Sequence, residues 1–199
     1  TSFNGLAVVA NSVLDVGSSD VRVTGVFTNA GVINRLAPTQ TIAALNTPYT
    51  FADGVGAATA VITQTGGAAM NDTTVWVSAH LTTTQITCGA GQLPYGTIRR
   101  VFAITPANAT GVTADLTLSY FDGALNSERG ALDPANLVIY RCNNGAWQSP
   151  NVTYTTGAAG AYRTVTLAGY TFDSFGLFAI GAPPSRNADL IDLALHGAA

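Results

Sequence analysis

The sequence predicts an all-β protein, built as an immunoglobulin-like or jelly-roll-type β-sandwich in one large domain or two tightly joined subdomains. Short runs rich in Val, Thr, Tyr and Phe recur along the 199 residues, and Gly, Pro or Asn separate them. Strong helix formers are nearly missing, since the chain has no lysine, a single glutamate and 21 glycines. Strand and turn signals without helix signals favour packed sheets.

Eight segments carry the strand pattern, in which apolar and polar residues alternate or apolar residues follow one another before a turn. In the third of them, Val75, Val77 and Ala79 share one face, while Trp76 and Ser78 share the other. The eight predicted strands cover residues 21–28, 58–65, 73–80, 97–104, 112–120, 136–142, 161–168 and 175–181.

The glycine-rich run 89–94 is the best internal boundary, either between two halves or as a long loop within one sandwich. It divides the chain into an N-terminal strand (1–10), a first β half (11–90), a second β half (91–182) and a C-terminal tail (183–199). The tail follows two prolines and fits two patterns, a strand with period two or a short amphipathic helix capped by Asn187.

Both chain ends contain apolar segments that are candidates for assembly. Such a segment either closes a sheet of its own chain, which is the commoner case, or adds to a sheet of a neighbour by donor-strand complementation. The tail has a third interpretation, as the remnant of an expression tag or a cleaved sorting segment. The candidate assembly residues are Phe3, Leu6, Val8 and Val9 at the N-terminus and Ile191, Leu193 and Leu195 in the tail.

Charge is scarce, and all eight basic residues are arginine. Lysine usually protects exposed sheet edges, so its absence favours association between copies, although a compositional habit of the source genome would look the same. The net charge of −3 and the single basic pair, Arg99-Arg100, argue against a nucleic-acid partner. No apolar run approaches the roughly 18 residues of a membrane span. Because the first residue is Thr1, we expect a mature, secreted chain.

The two cysteines, Cys88 and Cys142, form a disulfide, remain free or help to bind a metal. Structural zinc needs four ligands, and only His80 and His196 are available to join the cysteines. In an exported protein a disulfide is the expected outcome. It would join the first β half to the second.

From residue 93 to residue 181 the chain resembles a module of secreted bacterial surface and adhesin-like proteins. Each matching stretch is a strand with its turn, and together they cover a little under half of the chain. The resemblance implies a β-sandwich on the outside of the cell with a structural or adhesive role and no catalytic residues; Cys142 departs from the pattern of the module. The matching stretches are 96–106, 111–120, 137–141, 145–147 and 175–181.

Catalysis is not expected. A serine hydrolase needs a histidine base, and here every triad would use His80, at a strand end, or His196, near the chain end. The nucleophile elbow Gly-x-Ser-x-Gly and the phosphate-binding glycine motifs that precede a helix are absent from the sequence. We therefore expect a protein that is not an enzyme and has no organic cofactor.

The loop after the predicted strand 112–120 is rich in oxygen ligands. Asp122, Asn126 and Glu128 are candidate Ca²⁺ ligands, although Asp and Asn are also ordinary turn residues and no EF-hand pattern is present. Calcium is the only cofactor that the sequence suggests.

Carbohydrate enters the sequence analysis in two ways. The acceptor pattern Asn-x-Ser/Thr occurs at Asn71, Asn108 and Asn151, all in predicted turns. Trp76 and Trp147 would suit a sugar-stacking platform, but both also suit a hydrophobic core, which is the commoner use.

These observations predict an extracellular structural subunit that assembles with copies of itself into a filament, fibre or surface layer. The N-terminal segment 3–10 is the first choice of donor strand. The alternative is a carbohydrate-binding or adhesive β-sandwich module with surface glycans as partners.

Overall fold

The structure is a computed structural model that describes residues 2–9, 12–17, 22–23, 27–29, 31–52, 58–79, 81–93, 96–123 and 127–184. Strands dominate these residues, and the helical structure among them is one turn of 3₁₀-helix over Thr83–Gln85. The all-β class predicted from the sequence is confirmed.

The strands are numbered in chain order. The first five are short: β1 (Ser2–Phe3), β2 (Leu6–Val8), β3 (Val13–Asp15), β4 (Arg22–Val23) and β5 (Phe27–Asn29). The next six are β6 (Val32–Ile42), β7 (Pro48–Ala52), β8 (Ala58–Gly67), β9 (Asn71–Ala79), β10 (Thr87–Cys88) and β11 (Gly91–Gln92). The last seven are β12 (Thr97–Pro106), β13 (Val112–Phe121), β14 (Val138–Asn143), β15 (Ala146–Gln148), β16 (Tyr154–Ala159), β17 (Tyr162–Phe172) and β18 (Gly176–Gly181).

Two large sheets form the sandwich. One has seven strands in the order β15-β14-β18-β12-β9-β6-β3, and the other has five in the order β16-β17-β13-β8-β7. All their neighbouring strands are antiparallel except β3 and β6, which run parallel. The β-sandwich predicted from the strand spacing is confirmed.

The main core lies between the two sheets because alternate side chains of each strand point inward. Val75 and Val77 of β9 contribute to it, as the alternation predicts, together with inward residues of the opposite sheet. Its largest fully buried side chains include Phe51, Phe102, Tyr120, Phe172 and Phe178.

The two β halves interleave instead of forming separate bodies. In the seven-stranded sheet β9 pairs with β12, and in the five-stranded sheet β8 pairs with β13. Each of the two large sheets therefore combines strands from both sides of the boundary at residues 89–94, and neither half forms one of these sheets by itself.

The N-terminal strands differ from the rest because they pair in parallel. β1 pairs with β4, β2 with β5 and β3 with β6. Of the predicted strand 21–28, residues 22–23 lie in β4 and residues 27–28 in β5, while residues 21 and 24–26 lie outside the described residues. The strands β6 and β7, and β15 and β16 later in the chain, are not among the predicted segments.

Candidate functional site: strand edges and the outer sheet face

A disulfide between Cys88 and Cys142 fixes a loop to the outer face of the seven-stranded sheet. The two Cα atoms are 5.5 Å apart, and Cys88 is fully buried. Since Cys142 lies on β14 and Cys88 on the β10–β11 hairpin, the bond joins the first β half to the second. The disulfide predicted from the cysteine count is confirmed.

Under this loop lies a second, smaller apolar cluster. The indole of Trp147 packs against its edge, opposite Cys142 on the neighbouring strand. The packed position expected for Trp147 is thus confirmed. The buried members of the cluster are Val32, Leu81, Ile86, Leu93, Tyr140 and Ala179.

Beside the covered area, the same sheet face carries an apolar row that the described residues leave partly exposed. Trp76 pairs with Leu36 on one side and Ala103 on the other, and Ala103 pairs with Leu177. Leu177 is 36% exposed, and the other three are half-buried. The core position expected for Trp76 is wrong, because the side chain belongs to the outward face of β9. We call these four residues the outer row.

Two of the three candidate calcium ligands, Asp122 and Glu128, form ion pairs with arginines. Burial acts to raise the pKa of Asp122, but hydrogen bonds from Ser127 and Arg129 and the charges of Arg129 and Arg163 outweigh it, so the pKa lies below its usual value. Asn126 lies outside the described residues. Asp122 is therefore held as a carboxylate by its own loop and by β17.

Glu128, the single glutamate, forms a buried ion pair with Arg100. The Arg100 Nε atom lies 2.9 Å from Glu128 Oε2, and its Nη2 donates to Oε1 at 3.0 Å. The backbone N–H of Phe121 also donates to Oε2, at 2.8 Å. Because the carboxylate is fully buried and its oxygens accept these bonds, this arrangement disfavours calcium at Glu128.

Two of the three glycosylation acceptor patterns, at Asn108 and Asn151, lie in loops as predicted, whereas the prediction is wrong for Asn71, which is the first residue of β9. Asn71 and Asn151 are exposed, whereas the side chain of Asn108 donates a hydrogen bond to the carbonyl of Ala69. Asn71 has a positive φ of 58°, a conformation that Asn tolerates well in turns. Whether any of them carries a glycan stays a prediction.

The N-terminal candidate strand pairs within its own chain. β2 contains Leu6 and Val8, lies beside β5, and buries Val8 to 6% exposure. Val9, one position later, is 63% exposed. One side of this strand is thus closed by the chain itself. Outside the described residues, or with side chains that the structure does not describe, lie Phe3, His80, Ile191, Leu193, Leu195 and His196.

The two large sheets end in four edge strands among the described residues. β3 and β15 have three residues each, and β7 begins with Pro48, so three of the edges are short or contain a guarding residue. The fourth, β16, has six residues with the sequence YTTGAA, without charge or proline. Five of the six are exposed.

The position of β16 depends on a tyrosine that the sequence analysis did not single out. The hydroxyl of Tyr154 donates to the carbonyls of Pro150 at 2.8 Å and Ile139 at 3.2 Å. Burial raises the pKa of Tyr154 to about 12. The tyrosine therefore anchors the first residue of the edge strand to β14 of the opposite sheet.

No family model, curated protein or solved structure matches the chain. The part of the chain that the structure describes contains no helix long and apolar enough to cross a membrane. The same residues contain no group of three or more His, Cys, Asp or Glu side chains that could hold a metal ion.

Proposed function

We propose that this protein is a secreted, non-catalytic structural subunit that associates with copies of itself by β-strand addition. The single observation that carries the proposal is the edge strand β16, which is uncharged and free of proline over six residues, five of them exposed. An edge of this kind presents unpaired backbone N–H and C=O groups to a neighbouring strand.

The rest of the molecule suits this role. The disulfide is typical of proteins from oxidising compartments, which supports an extracellular location. The low charge leaves little repulsion between copies. The buried Arg100–Glu128 pair and the arginine partners of Asp122 give those carboxylates a structural use within the fold.

The test is a lysine placed on the edge. Thr156 of β16 pairs with the buried Val165 of β17 and is itself exposed. A lysine there adds a charge on the inward side of the edge, which is how natural sheets prevent pairing. We expect Thr156→Lys to abolish the oligomers and polymers that wild-type protein forms in sedimentation velocity and electron microscopy.

The matched control is Thr50→Lys, an exposed threonine on β7, the proline-containing edge of the same sheet. It adds the same charge, and the wild-type assembly should persist. Equal assembly of the wild type and Thr156→Lys, or a wild type that stays monomeric at its highest soluble concentration, would contradict the proposal.

A second candidate function, adhesion through carbohydrate binding, rests on the outer row. An indole beside aliphatic side chains on a sheet face is a surface on which a sugar ring stacks. Trp76→Ala should remove binding on a glycan array while leaving the fold intact. Trp147→Ala is the control for general loss of packing, because Trp147 lies against the second cluster. A wild type that binds no glycan refutes this alternative.

A further inference from the structure

The three parallel strand pairs at the N-terminus have similar spacings along the chain, from 19 to 21 positions. Ser2 pairs with Arg22, 20 positions later; Leu6 pairs with Phe27, 21 positions later; and the first residue of β3 pairs with that of β6, 19 positions later. Three strands per turn, each lying parallel to the strand about one turn further on, define a β-solenoid. We call β1–β3 coil 1, and β4, β5 and the first part of β6 coil 2.

Backbone hydrogen bonds join the two coils between β3 and β6. The N–H of Val32 donates to the carbonyl of Ser12 at 2.9 Å, and the N–H of Leu36 donates to the carbonyl of Gly17 at 2.8 Å. Between them, the N–H of Val16 donates to the carbonyl of Asn34 at 3.1 Å. Bonds that alternate in direction between the coils form a parallel ladder.

The turn that precedes this ladder is stacked as closely as the strands. A Cβ atom on Gly31, in coil 2, would lie 2.5 Å from the Ser12 carbonyl oxygen and 2.6 Å from that of Val9, both in coil 1. Only glycine fits there without displacing the other coil. The turn of coil 2 at Gly31 therefore stacks on the turn of coil 1 that contains Val9 and Ser12, as in a solenoid.

Among the described residues, the coil 2 side of the stack is joined to the sandwich through β6 alone, since β4 and β5 each pair with one strand only, and the coil 1 side is open. On the coil 2 side, β6 continues into the seven-stranded sheet and pairs with β9. On the coil 1 side, β1, β2 and β3 each pair with one strand only among the described residues. Two coils are fewer than the three that a repeat structure usually needs to bury a continuous core.

The open edge carries apolar surface and little charge. Val9 and Val13 are 63% and 60% exposed, the highest values among the described large apolar residues. Asp15 is the single charged residue within the described part of coil 1, and its carboxylate accepts a hydrogen bond from the N–H of Gly17, in its own turn. Apart from Asp15, the described part of coil 1 thus lacks the charges and prolines that protect an edge strand.

We propose that the open edge of coil 1 receives a further β-solenoid coil, a segment of about 20 residues whose three short strands run parallel to β1, β2 and β3. The sandwich, joined to coil 2 through β6, then lies at the other end of a solenoid stack. The ladder between coils 1 and 2 is parallel and joins residues about 20 positions apart. A further parallel coil of this length would continue the ladder, so we expect such a coil as the occupant. This inference uses a different edge from β16 and goes beyond the proposed self-association.

The experiment extends the chain by one coil. A second copy of residues 1–20 is placed directly before Thr1 of the full chain, and backbone hydrogen exchange is measured. We expect the amides of β1–β3 to exchange at least about tenfold more slowly than in the unextended chain, because their open edge has become an interior one. The control extension has the same 20 residues in scrambled order and should leave these amides unchanged.

Equal exchange at β1–β3 in both extended chains overturns the proposal. The proposal is also overturned if the amides of β12 and β13 lose protection in the chain with the duplicated coil but not in the chain with the scrambled extension. Two further measurements identify other occupants. Protection of β1–β3 that rises with protein concentration in the unextended chain indicates a second copy, and protection that disappears when residues 185–199 are deleted indicates the chain's own tail. Either result overturns the proposal. A failure of Thr156→Lys to alter assembly bears on the proposed function alone.

A second variant tests the coils without any extension. Gly31→Ala should accelerate exchange in β1–β3 and leave β12 and β13 unchanged, since the added methyl group pushes the two turns apart. Gly66→Ala is the matched control, because its Cβ would meet only the Thr113 side chain at an ordinary 3.6 Å. Unchanged exchange in Gly31→Ala means that the coils are not stacked, and the proposal fails.

Discussion

Removing the disulfide should cost about 4 kcal/mol of unfolding free energy. The bond closes a loop with a sequence separation of 54 residues. In the chain-entropy model, a loop of this length lowers the entropy of the unfolded chain by about 14 cal/mol/K, which corresponds to about 4 kcal/mol at 25 °C. The appropriate variant replaces both Cys88 and Cys142 by serine, so that no free thiol remains.

The assay is guanidinium unfolding followed by tryptophan fluorescence. Trp147 lies beside the second cluster and Trp76 on the open part of the same face, so single-tryptophan versions report on the two regions separately. If the disulfide acts on the unfolded chain, the midpoint falls, and the dependence of the unfolding free energy on denaturant becomes steeper because the unfolded chain without the cross-link is less compact. Both tryptophans should report one transition.

Two results would refute this reasoning. A loss below about 1 kcal/mol would mean that the cross-link does not restrict the unfolded chain as the entropy model requires. An earlier transition at Trp147 than at Trp76 would mean that the loop over the second cluster detaches on its own, so that the bond holds a local cover instead of the whole fold.

Two further predictions concern buried groups. Glu128→Gln should destabilise the protein by about 3–5 kcal/mol in urea unfolding because it leaves Arg100 buried without a counter-charge. The double variant Arg100→Met/Glu128→Leu should lose much less stability, because no buried charge remains. Similar losses in the two variants would contradict this reasoning. Tyr120→Phe should be neutral or stabilising by about 1 kcal/mol, since the buried hydroxyl has no hydrogen-bond partner among the described residues. Burial raises the pKa of Tyr120 from its usual 10.0 to about 12. The stability that depends on the neutral phenol is therefore complete below about pH 10 and is lost between about pH 10 and 12. In alkaline titration the phenylalanine variant should unfold at a higher pH than the wild type. Tyr154→Phe, which removes two hydrogen bonds to backbone carbonyls, is the control and should destabilise by about 1 kcal/mol at neutral pH.

The sequence predicts the interior strands well because each carries its own evidence. Val75 and Val77 alternate with polar residues, and the same alternation marks β12 and β13. A strand that is buried on one face must show this alternation, so it can be predicted from its own residues without knowledge of the strands it pairs with. The disulfide could also be predicted, since two cysteines in a chain that is expected to be exported leave few options.

The edge strands could not be predicted in this way. β16 reads YTTGAA and has one large apolar residue, so its conformation comes from pairing with β17 along its whole length. β6 lies inside the seven-stranded sheet but was missed for another reason. It contains Pro38, which argues against a strand, and the ladder with β9 accommodates the proline by a shift of register between Ala37 and Gln40.

The parallel period was hidden for a related reason. Strands of two or three residues are too short to show alternation, and the residues at equivalent positions of the two coils differ, as Leu6 and Phe27 or Ser2 and Arg22 illustrate. The Arg100–Glu128 ion pair could not be predicted from the sequence either, because the two residues lie 28 positions apart and come into contact only in the folded protein.

The position of β18 determines when this protein can finish folding. The strand comes last along the part of the chain that the structure describes, but it lies inside the seven-stranded sheet, between β14 and β12. A chain that emerges amino end first must keep the edge of β12 open until Gly176–Gly181 arrives, and during that interval the edge is exposed to other nascent chains. Truncation before this segment would split the sheet through its middle, so a molecular chaperone that shields β12 would assist folding more than one that shields either end of the sheet.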